Sequence, residues 1–367
     1  MSTRIKVCEP SVTSIEKDYV SLALAEKKIS STGGLVEEFE KSFAEKIGVQ
    51  HAIAVNSGGS ALFLTLWALG IRMGNEVIVP DFTMVATAGA VKQCYAKPIF
   101  VDCTYETGNI DTNLIEQKIT KKTKAIIVVH LYGYPCDMDR IMEIANKNNI
   151  AVIEDAAEAH GAQWKGQSVG SIGRAGCFSF YANKIITTGE GGAITTNDYK
   201  LAVELRKLRS YYFPDMGHFE HEKLAWNLRM SSLEAALGLA QLTRWNQLIE
   251  KRIENAQYYE KNLLDLHDYI EFVQPCKDGK NVYWMFWIKV RDRDGLMKYL
   301  EDNGVETRKG FKGMHLQPFL KDKGSYPVSE SLWANSMYLP SSSDITREDQ
   351  DYIINLIKNF YDTRRGL

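Results

Sequence analysis

The sequence predicts an α/β protein: a mainly parallel β-sheet covered by helices on both faces, followed by a smaller C-terminal α+β domain. Three observations lead there. From about Val36 to Lys200, short apolar runs alternate with helical stretches. The runs are rich in β-branched residues and lack period-two alternation, so both faces of each strand are expected to be buried. Past Gln274-Pro275 the texture changes, and aromatic strand signals mix with short helices.

The elements follow in order. Residues 51–56 (HAIAVN) read as a strand and residues 60–70 (SALFLTLWALG) as a helix with a broad apolar face. Residues 76–80 (EVIVP) form the next strand, 84–94 a helix and 98–102 (PIFVD) a strand. Strands are expected over 124–129 (KAIIVV) and 150–154 (IAVIE), with the helix 137–148 between them. Residues 187–197 read as a turn leading into a strand over 193–196. A single long helix is expected from 232 to about 264, because no proline interrupts its Ala, Leu, Glu and Gln. Residues 282–290 (VYWMFWIKV) read as a strand, 295–303 as a helix, and strand and helix recur near Val305 and over 347–360. The division into domains is expected at 1–250 and 251–367.

Composition limits the function classes. Hydrophobic residues make up 45% and charged residues 25%, the balance of a soluble globular protein. The net charge of −2 gives no field that would draw the chain to nucleic acid or membrane. The 6 Cys are scattered without a CxxC pair, which suits free thiols in a reducing cytoplasm better than disulfides or zinc. Residues 1–10 lack the apolar stretch of a secretory signal, and no apolar run is long enough to span a bilayer. His218 and His221 lie in a polar loop with no further ligand in view, so no metal is expected.

The chemistry points to Lys184. An aromatic, strand-like stretch (FSFYAN) runs into this lysine and then into a Gly-rich turn (IITTGEGG). Loop lysines are ordinarily solvated. Beside aromatics, however, an amine is desolvated, its neutral form is favoured, and it can attack a carbonyl. That is the chemistry of a Schiff base to pyridoxal phosphate. Two further features fit. Asn56-Ser57-Gly58-Gly59-Ser60 lies between a strand and a helix, where free backbone N–H groups could cup a phosphate; the plainer reading is a βα turn with an N-cap serine. Neither this loop nor 189–192 has the GxGxxG of a dinucleotide site. Asp155 closes a strand, where a carboxylate could keep a pyridine nitrogen protonated or simply cap a helix. Glu158 and His160 follow it and could line the same pocket or make supporting hydrogen bonds.

On these segments the chain resembles the sugar aminotransferases of the DegT/DnrJ/EryC1/StrS family. The match runs from residues 29–33 through 56–62, 76–80 and 130–133 to EDAAEA at 154–159, the Lys184 segment, NLRM at 227–230 and AALGLAQL at 235–242. Within the family it is most similar to GDP-perosamine synthases, through 130–139, 183–192, 305–308 and His315. The resemblance implies the fold type I aminotransferase architecture, with a seven-stranded-type sheet, and pyridoxal 5′-phosphate as cofactor. It implies that Lys184 carries the covalent link, that Asp155 pairs with the pyridine nitrogen, and that Glu158 sits near the ring hydroxyl. Gly58, Gly59 or Ser60, with Ser179, would bind the phosphate, and Asn227 would reach the cofactor phosphate of a neighbouring subunit in a homodimer. Arg229, His315, His160 and Glu190 become candidates for the nucleotide-sugar pocket. L-Glutamate would donate its amino group to C4 of a nucleotide-linked 4-keto-6-deoxy sugar.

Two departures from the family pattern bear on the sugar. Met84 follows Thr83 where an aromatic residue often stacks on the ring, although a thioether can pack on a ring face. The segment Arg308-Lys309-Gly310-Phe311-Lys312-Gly313 carries more charge than perosamine synthases usually do, so a viosamine-type dTDP- or UDP-sugar enzyme is the alternative. A rival of another class is a sensor that binds the same molecules without turning them over. The presence of Lys184 with Asp155, and the lack of an appended DNA-binding segment, argue against it.

Overall fold

The computed structural model describes residues 5–213, 220–320 and 322–363. His218 therefore lies outside the described residues. Two helices lead in: Ser14–Ala25 (α1), opened by a Thr13/Glu16 capping box, and Leu35–Ile47 (α2). The large unit then runs through His51–Val55 (β1), Gly58–Ala68 (α3), Glu76–Pro80 (β2), Val85–Gln93 (α4), Lys97–Val101 (β3), Thr123–Val129 (β4), Met138–Asn148 (α5) and Ala151–Asp155 (β5). It continues with the short strands Gln163–Trp164 (β6) and Gln167–Ser168 (β7), then Ala175–Ser179 (β8), Gly192–Thr196 (β9), Tyr199–Arg209 (α6), Ser232–Thr243 (α7) and Trp245–Leu263 (α8). The C-terminal part holds Ile270–Phe272 (β10), Gly279–Lys280 (β11), Phe286–Val290 (β12), Arg293–Asp302 (α9), Arg308–Lys309 (β13), Pro327–Asn335 (α10), Ser336–Leu339 (β14) and Arg347–Asp362 (α11).

Seven strands form the main sheet in the order β1-β9-β8-β5-β4-β2-β3. The neighbours from β8 to β3 pair in parallel, and only β9 runs against both of its neighbours. Both faces are buried, which is why the strands read as unbroken apolar runs. On one face Val77, Val79, Ile127 and Ile153 meet Leu62, Leu66 and Val91 of α3 and α4. On the other, Ile126, Val128 and Val152 meet Met138, Ile141 and Ile144. β10, β12, β14 and β13 make a separate four-stranded antiparallel sheet, covered by α9 and α11 through Leu296, Leu300, Ile353 and Ile357.

Two expectations need correction, the helix over 232–264 and the strand over 282–290. The single helix over 232–264 is two helices, broken at Arg244 (φ −100°, ψ 10°). Arg244 is an unremarkable helix residue locally. Its buried guanidinium instead donates to Glu16 Oε1 (2.9 Å) and Ser11 Oγ (2.8 Å), a tertiary anchor across more than 200 residues of sequence. The expected strand over 282–290 forms only from Phe286 onward. Before it, Val282 N–H donates to the Gly133 carbonyl and Tyr283 takes a φ of +48°, so residues 281–285 leave the sheet. Near Val305 there is one isolated bridge to Ile5, and the strand expected there is the two-residue β13 at Arg308–Lys309. The expected domain boundary at 250 falls inside α8, whose Leu248 and Ile249 join the core of the large unit while Ala256, Tyr259 and Leu263 join the C-terminal core.

Candidate active site

The parallel strands β2, β4, β5 and β8 end at one edge of the sheet, as does β1, which runs antiparallel to β9. Ligands of open α/β sheets bind at such an edge. Here the edge opens into a cavity of ≈370 Å³ whose lining includes Gly58, Asp155, Glu158, Ser179 and Lys184. β1 delivers the first turn of α3 to it. Ser57 caps that helix by accepting from Ser60 N–H (3.1 Å), which leaves the Gly58 and Gly59 N–H groups without intrahelical acceptors. The turn lies so close to the end of β8 that a Cβ on Gly58 would stand 2.7 Å from the Ser179 Cβ. Donors, helix polarity and a small-residue cradle together suit a phosphate.

β5 delivers Asp155. Its Oδ2 accepts from Thr87 Oγ1 (2.8 Å) and its Oδ1 from Ala157 N–H (3.2 Å). Burial raises its pKa, and those two hydrogen bonds partly offset the rise. Glu158 stands on the same loop, with Oε2 accepting from Tyr132 N–H (2.8 Å). Burial pushes its carboxyl up to about 7. The neighbouring Glu154 does not face the cavity. Its carboxylate accepts from the N–H groups of Gly170, Ile172 and Gly173, and from His130 Nε2 at 3.0 Å. His130 Nδ1 already accepts from Cys136 N–H, so Nε2 carries the proton. That network holds the end of β5 in place.

β8 runs into the Lys184 turn, where Lys184 N–H donates to the Tyr181 carbonyl (2.9 Å). The Lys184 side chain is 10% exposed, and Nζ is 3.9 Å from Glu158 Oε1. Burial lowers its pKa, against the opposing pull of Glu158 and Asp155. The same desolvation therefore drives both partners of the Lys184–Glu158 pair toward neutrality. A neutral amine, a carboxylate at a strand end and an anion cradle around one cavity are the donor set that pyridoxal phosphate requires, so the residues fit that group. Among the described residues no three His, Cys, Asp or Glu side chains group as a metal centre would need.

The other expected residues divide. Met84, the N-cap of α4, and the exposed Glu190 line the cavity; Ser60 instead lines an adjoining groove. Asn227 and Arg229 do not line the cavity in this chain. Asn227 is exposed and bridges to Ser210, while Arg229 Nη1 donates to Ser210 Oγ (3.0 Å). His315 is turned away as well. Its ring spans Asp81 (2.7 Å) and Glu330 (3.2 Å), clamping the loop after β2 to the start of α10. His221, from the polar loop, lies beside the Tyr211 carbonyl at 2.7 Å.

His160 is the clearest correction. It lies in the core with Phe43, Phe178, Phe180 and Trp245 around its ring, and among the described residues neither ring nitrogen has a hydrogen-bond partner. Burial pushes its pKa down to about 3, and the charge of Lys184 acts in the same direction. An unfolded histidine titrates near ~6.5. Between those values the unfolded chain binds more protons than the fold, so stability is full above the unfolded value and is lost as pH falls through the window. The urea midpoint of the wild type is expected to drop more between about pH 7.5 and about pH 5 than that of His160→Phe. Equal pH dependence in the two proteins would refute the assignment of His160 as a neutral core residue.

Several residues that build the site had no motif to announce them. Thr87 stands one turn after Met84. Trp284 and Tyr338 come from the C-terminal part and wall the cavity opposite the sheet, together with Arg308 and Phe311 of the charged segment already singled out in the sequence. The aromatic run over 282–290 was the available signal for Trp284, but it reads equally as strand.

Comparison with known proteins matches this arrangement. A profile of the DegT/DnrJ/EryC1/StrS aminotransferase family matches residues 10–358. GDP-perosamine synthase of Escherichia coli O157:H7 is 42% identical over 361 residues, 97% of this chain and 98% of that protein. The GDP-perosamine synthase of Caulobacter vibrioides is 41% identical over 366 residues, 96% of each chain. Among solved structures, Spr1654 of Streptococcus pneumoniae in its PLP form gives a TM-score of 0.92 at 27% identity, covering 97% of this chain and 98% of that one.

Proposed function

Since the chain belongs to the DegT/DnrJ/EryC1/StrS aminotransferase family, we propose that it transfers the amino group of L-glutamate to C4 of a GDP-linked 4-keto-6-deoxy sugar, forming GDP-perosamine. It is a pyridoxal 5′-phosphate-dependent sugar-nucleotide aminotransferase. The observation that carries the reading is the buried Lys184 amine, set in one cavity with Asp155, Glu158 and the first turn of α3.

When bound, the cofactor supplies an electron sink for charge that develops on the donor's α-carbon. The Gly58 and Gly59 N–H groups and Ser179, with Ser60 at the adjoining rim, would hold its phosphate. Asp155, steadied by Thr87, would keep its ring nitrogen protonated, and Glu158 would serve the ring hydroxyl. Met84 would pack against the ring. Lys184 would anchor the group through Nζ and would move the proton at the donor's α-carbon. Glu190, on the cavity lining, contributes to sugar-nucleotide binding, Arg229 does so only toward the site of a partner subunit, and His315 supports that region through its clamp on Asp81 and Glu330. Residues 1–250 form the cofactor-binding domain and 251–367 the smaller domain that walls it.

A panel of GDP-, dTDP- and UDP-linked 4-keto-6-deoxy sugars assayed with glutamate tests the acceptor. The GDP sugar is expected to give the highest kcat/KM, and preference for a dTDP or UDP sugar would favour a viosamine-type enzyme. Glutamate is also expected to bleach the visible absorbance of the bound cofactor. A band that glutamate leaves unchanged would favour the non-catalytic sensor. An amino sugar activated in this way is a building block for glycans such as O-antigen lipopolysaccharide. Free cysteines suit a cytoplasmic enzyme, and among the described residues no helix is long and apolar enough to cross a membrane.

The active unit is a homodimer with shared sites. Beside Ser57, Gly59 and Ser60, a groove of ≈640 Å³ is walled by Phe63, Trp67 and Trp226, next to Tyr95 and Leu224, which are 70% and 73% exposed. An apolar groove continuous with the phosphate cradle supports docking of a second copy, and Asn227 on its edge then reaches the partner's phosphate. Two inactive variants, Lys184→Ala and Asn227→Asp, are expected to recover activity after subunit exchange. One composite site per mixed dimer then holds both wild-type residues. No recovery despite demonstrated exchange, or full activity of Asn227→Asp alone, would refute the shared site.

A further inference from the structure

Resting on Lys184 as the reacting amine, we infer that Trp284 is its positioning residue: the indole holds the Lys184 turn through a hydrogen bond and offers its ring face as the place where the amine rests whenever it is not bonded to the cofactor. Two contacts converge on this side chain. The indole Nε1 donates to the Asn183 carbonyl at 2.8 Å, the residue just before Lys184. The Lys184 Nζ stands 3.7 Å from the centre of the same ring. That is closer than its carboxylate neighbour Glu158, at 3.9 Å. The ring is therefore the nearest favourable surface for a cation that burial otherwise disfavours.

Trp284 can do this because it is itself fixed. It is 4% exposed, and its carbonyl accepts from the buried Arg252 Nη1 at 2.7 Å. Its ring stacks on Tyr132 at 6.1 Å between centroids and 19° between planes. Tyr132 in turn donates its backbone N–H to Glu158, so the ring and the carboxylate that flank the amine are braced by one residue. The Asn183 carbonyl also receives the Cys8 thiol at 3.3 Å, and Cys8 Sγ receives Arg252 Nη2 at 3.4 Å. The turn that carries Lys184 is thus held from the C-terminal side of the cavity by Trp284 and by the N-terminal segment. A lysine that both anchors the cofactor and carries the proton would need its amine held close to one position. A fixed aromatic face keeps it within reach without a closer carboxylate, which would trap it as an ammonium.

The test uses the apoprotein and the holoenzyme of two variants. Trp284→Phe keeps a ring face and removes the N–H donor; Trp284→Met removes both. In the apoprotein, acetic anhydride labelling of Lys184, read by peptide mass spectrometry across pH, reports the amine's titration. The groups facing that amine are Glu158, Asp155, the Cys8 thiol and His160, and all remain in both variants. Loss of the ring face disfavours the ammonium, so in Trp284→Met the labelling midpoint is expected about one pH unit lower. Trp284→Phe is expected to keep the wild-type midpoint. In the holoenzyme kcat is expected to fall about ten-fold in Trp284→Met and several-fold in Trp284→Phe, with KM for glutamate little changed. An unchanged midpoint in folded Trp284→Met overturns the resting-face role, and wild-type kcat in Trp284→Phe overturns the hydrogen-bond role. If Trp284→Met does not fold, Trp284→Phe decides alone: a reduced kcat with an unchanged midpoint supports the inference, and a shifted midpoint or wild-type kcat overturns it. The apoprotein arm needs no turnover, so it gives its result even if glutamate proves not to be the donor.

Discussion

Lys184→Ala is expected to reduce transamination by several orders of magnitude and to leave the fold intact. Positioned acid–base catalysis alone contributes roughly 10²–10⁴-fold, and the alanine also removes the covalent step. The fold should tolerate the change because Lys184 Nζ forms no close ion pair. Its nearest carboxylate is 3.9 Å away, and burial already disfavours its charge. Removing a desolvated amine from a cavity wall costs little where no partner is left stranded. Glu158 does lose a neighbouring cation, but its carboxyl, already pushed up to about 7, can take a proton instead. Stopped-flow turnover with glutamate, alongside a urea melt of the same sample, checks both halves. Near-normal turnover by a folded Lys184→Ala protein would sink the assignment.

Asp155→Asn is expected to lower the rate by on the order of 10²–10⁴-fold while changing stability far less. An amide cannot hold the ring nitrogen protonated, so charge developing on the α-carbon loses its sink. Local structure survives because the amide oxygen can still accept from Ala157 N–H, and the Thr87 hydroxyl can turn from donor to acceptor. If Asp155 did no more than cap the turn after β5, asparagine would replace it at little cost to either quantity. Unchanged activity would therefore support the capping role. A loss of stability as large as the loss of rate would place Asp155 in the fold's framework instead.

The two variants rest on residues that are legible in the sequence. Lys184 stood out as a lysine between an aromatic strand and a glycine turn, and Asp155 as a carboxylate at a strand end. The glycines at 58 and 59 signalled a backbone that something must approach closely. Their supporting residues were not legible in the same way. Thr87 is one of many threonines in the chain, and nothing local says that its hydroxyl meets a residue 68 positions away. His160 sits in the same short motif as Asp155 and Glu158, yet it points into a cage of aromatic rings from α2, β8 and α8. Three residues of one loop thus face two environments, and sequence proximity does not distinguish them.

By itself the sequence determined the alternation of strands and helices over residues 51–154, the burial of both sheet faces and the positions of the lysine, the carboxylate and the glycine cradle. Each depends on hydrophobic period, backbone freedom or side-chain chemistry, which neighbours in sequence largely set. Only the tertiary structure decided that α7 and α8 part at Arg244, that residues 281–285 leave their strand, and that Trp284 lies over Lys184. Those outcomes depend on contacts such as Arg244 with Glu16 and Trp284 with Asn183, which join residues 228 and 101 positions apart. A buried polar group must find its partner wherever the packed chain brings one, and that requirement overrides local propensity without leaving a mark in the local sequence.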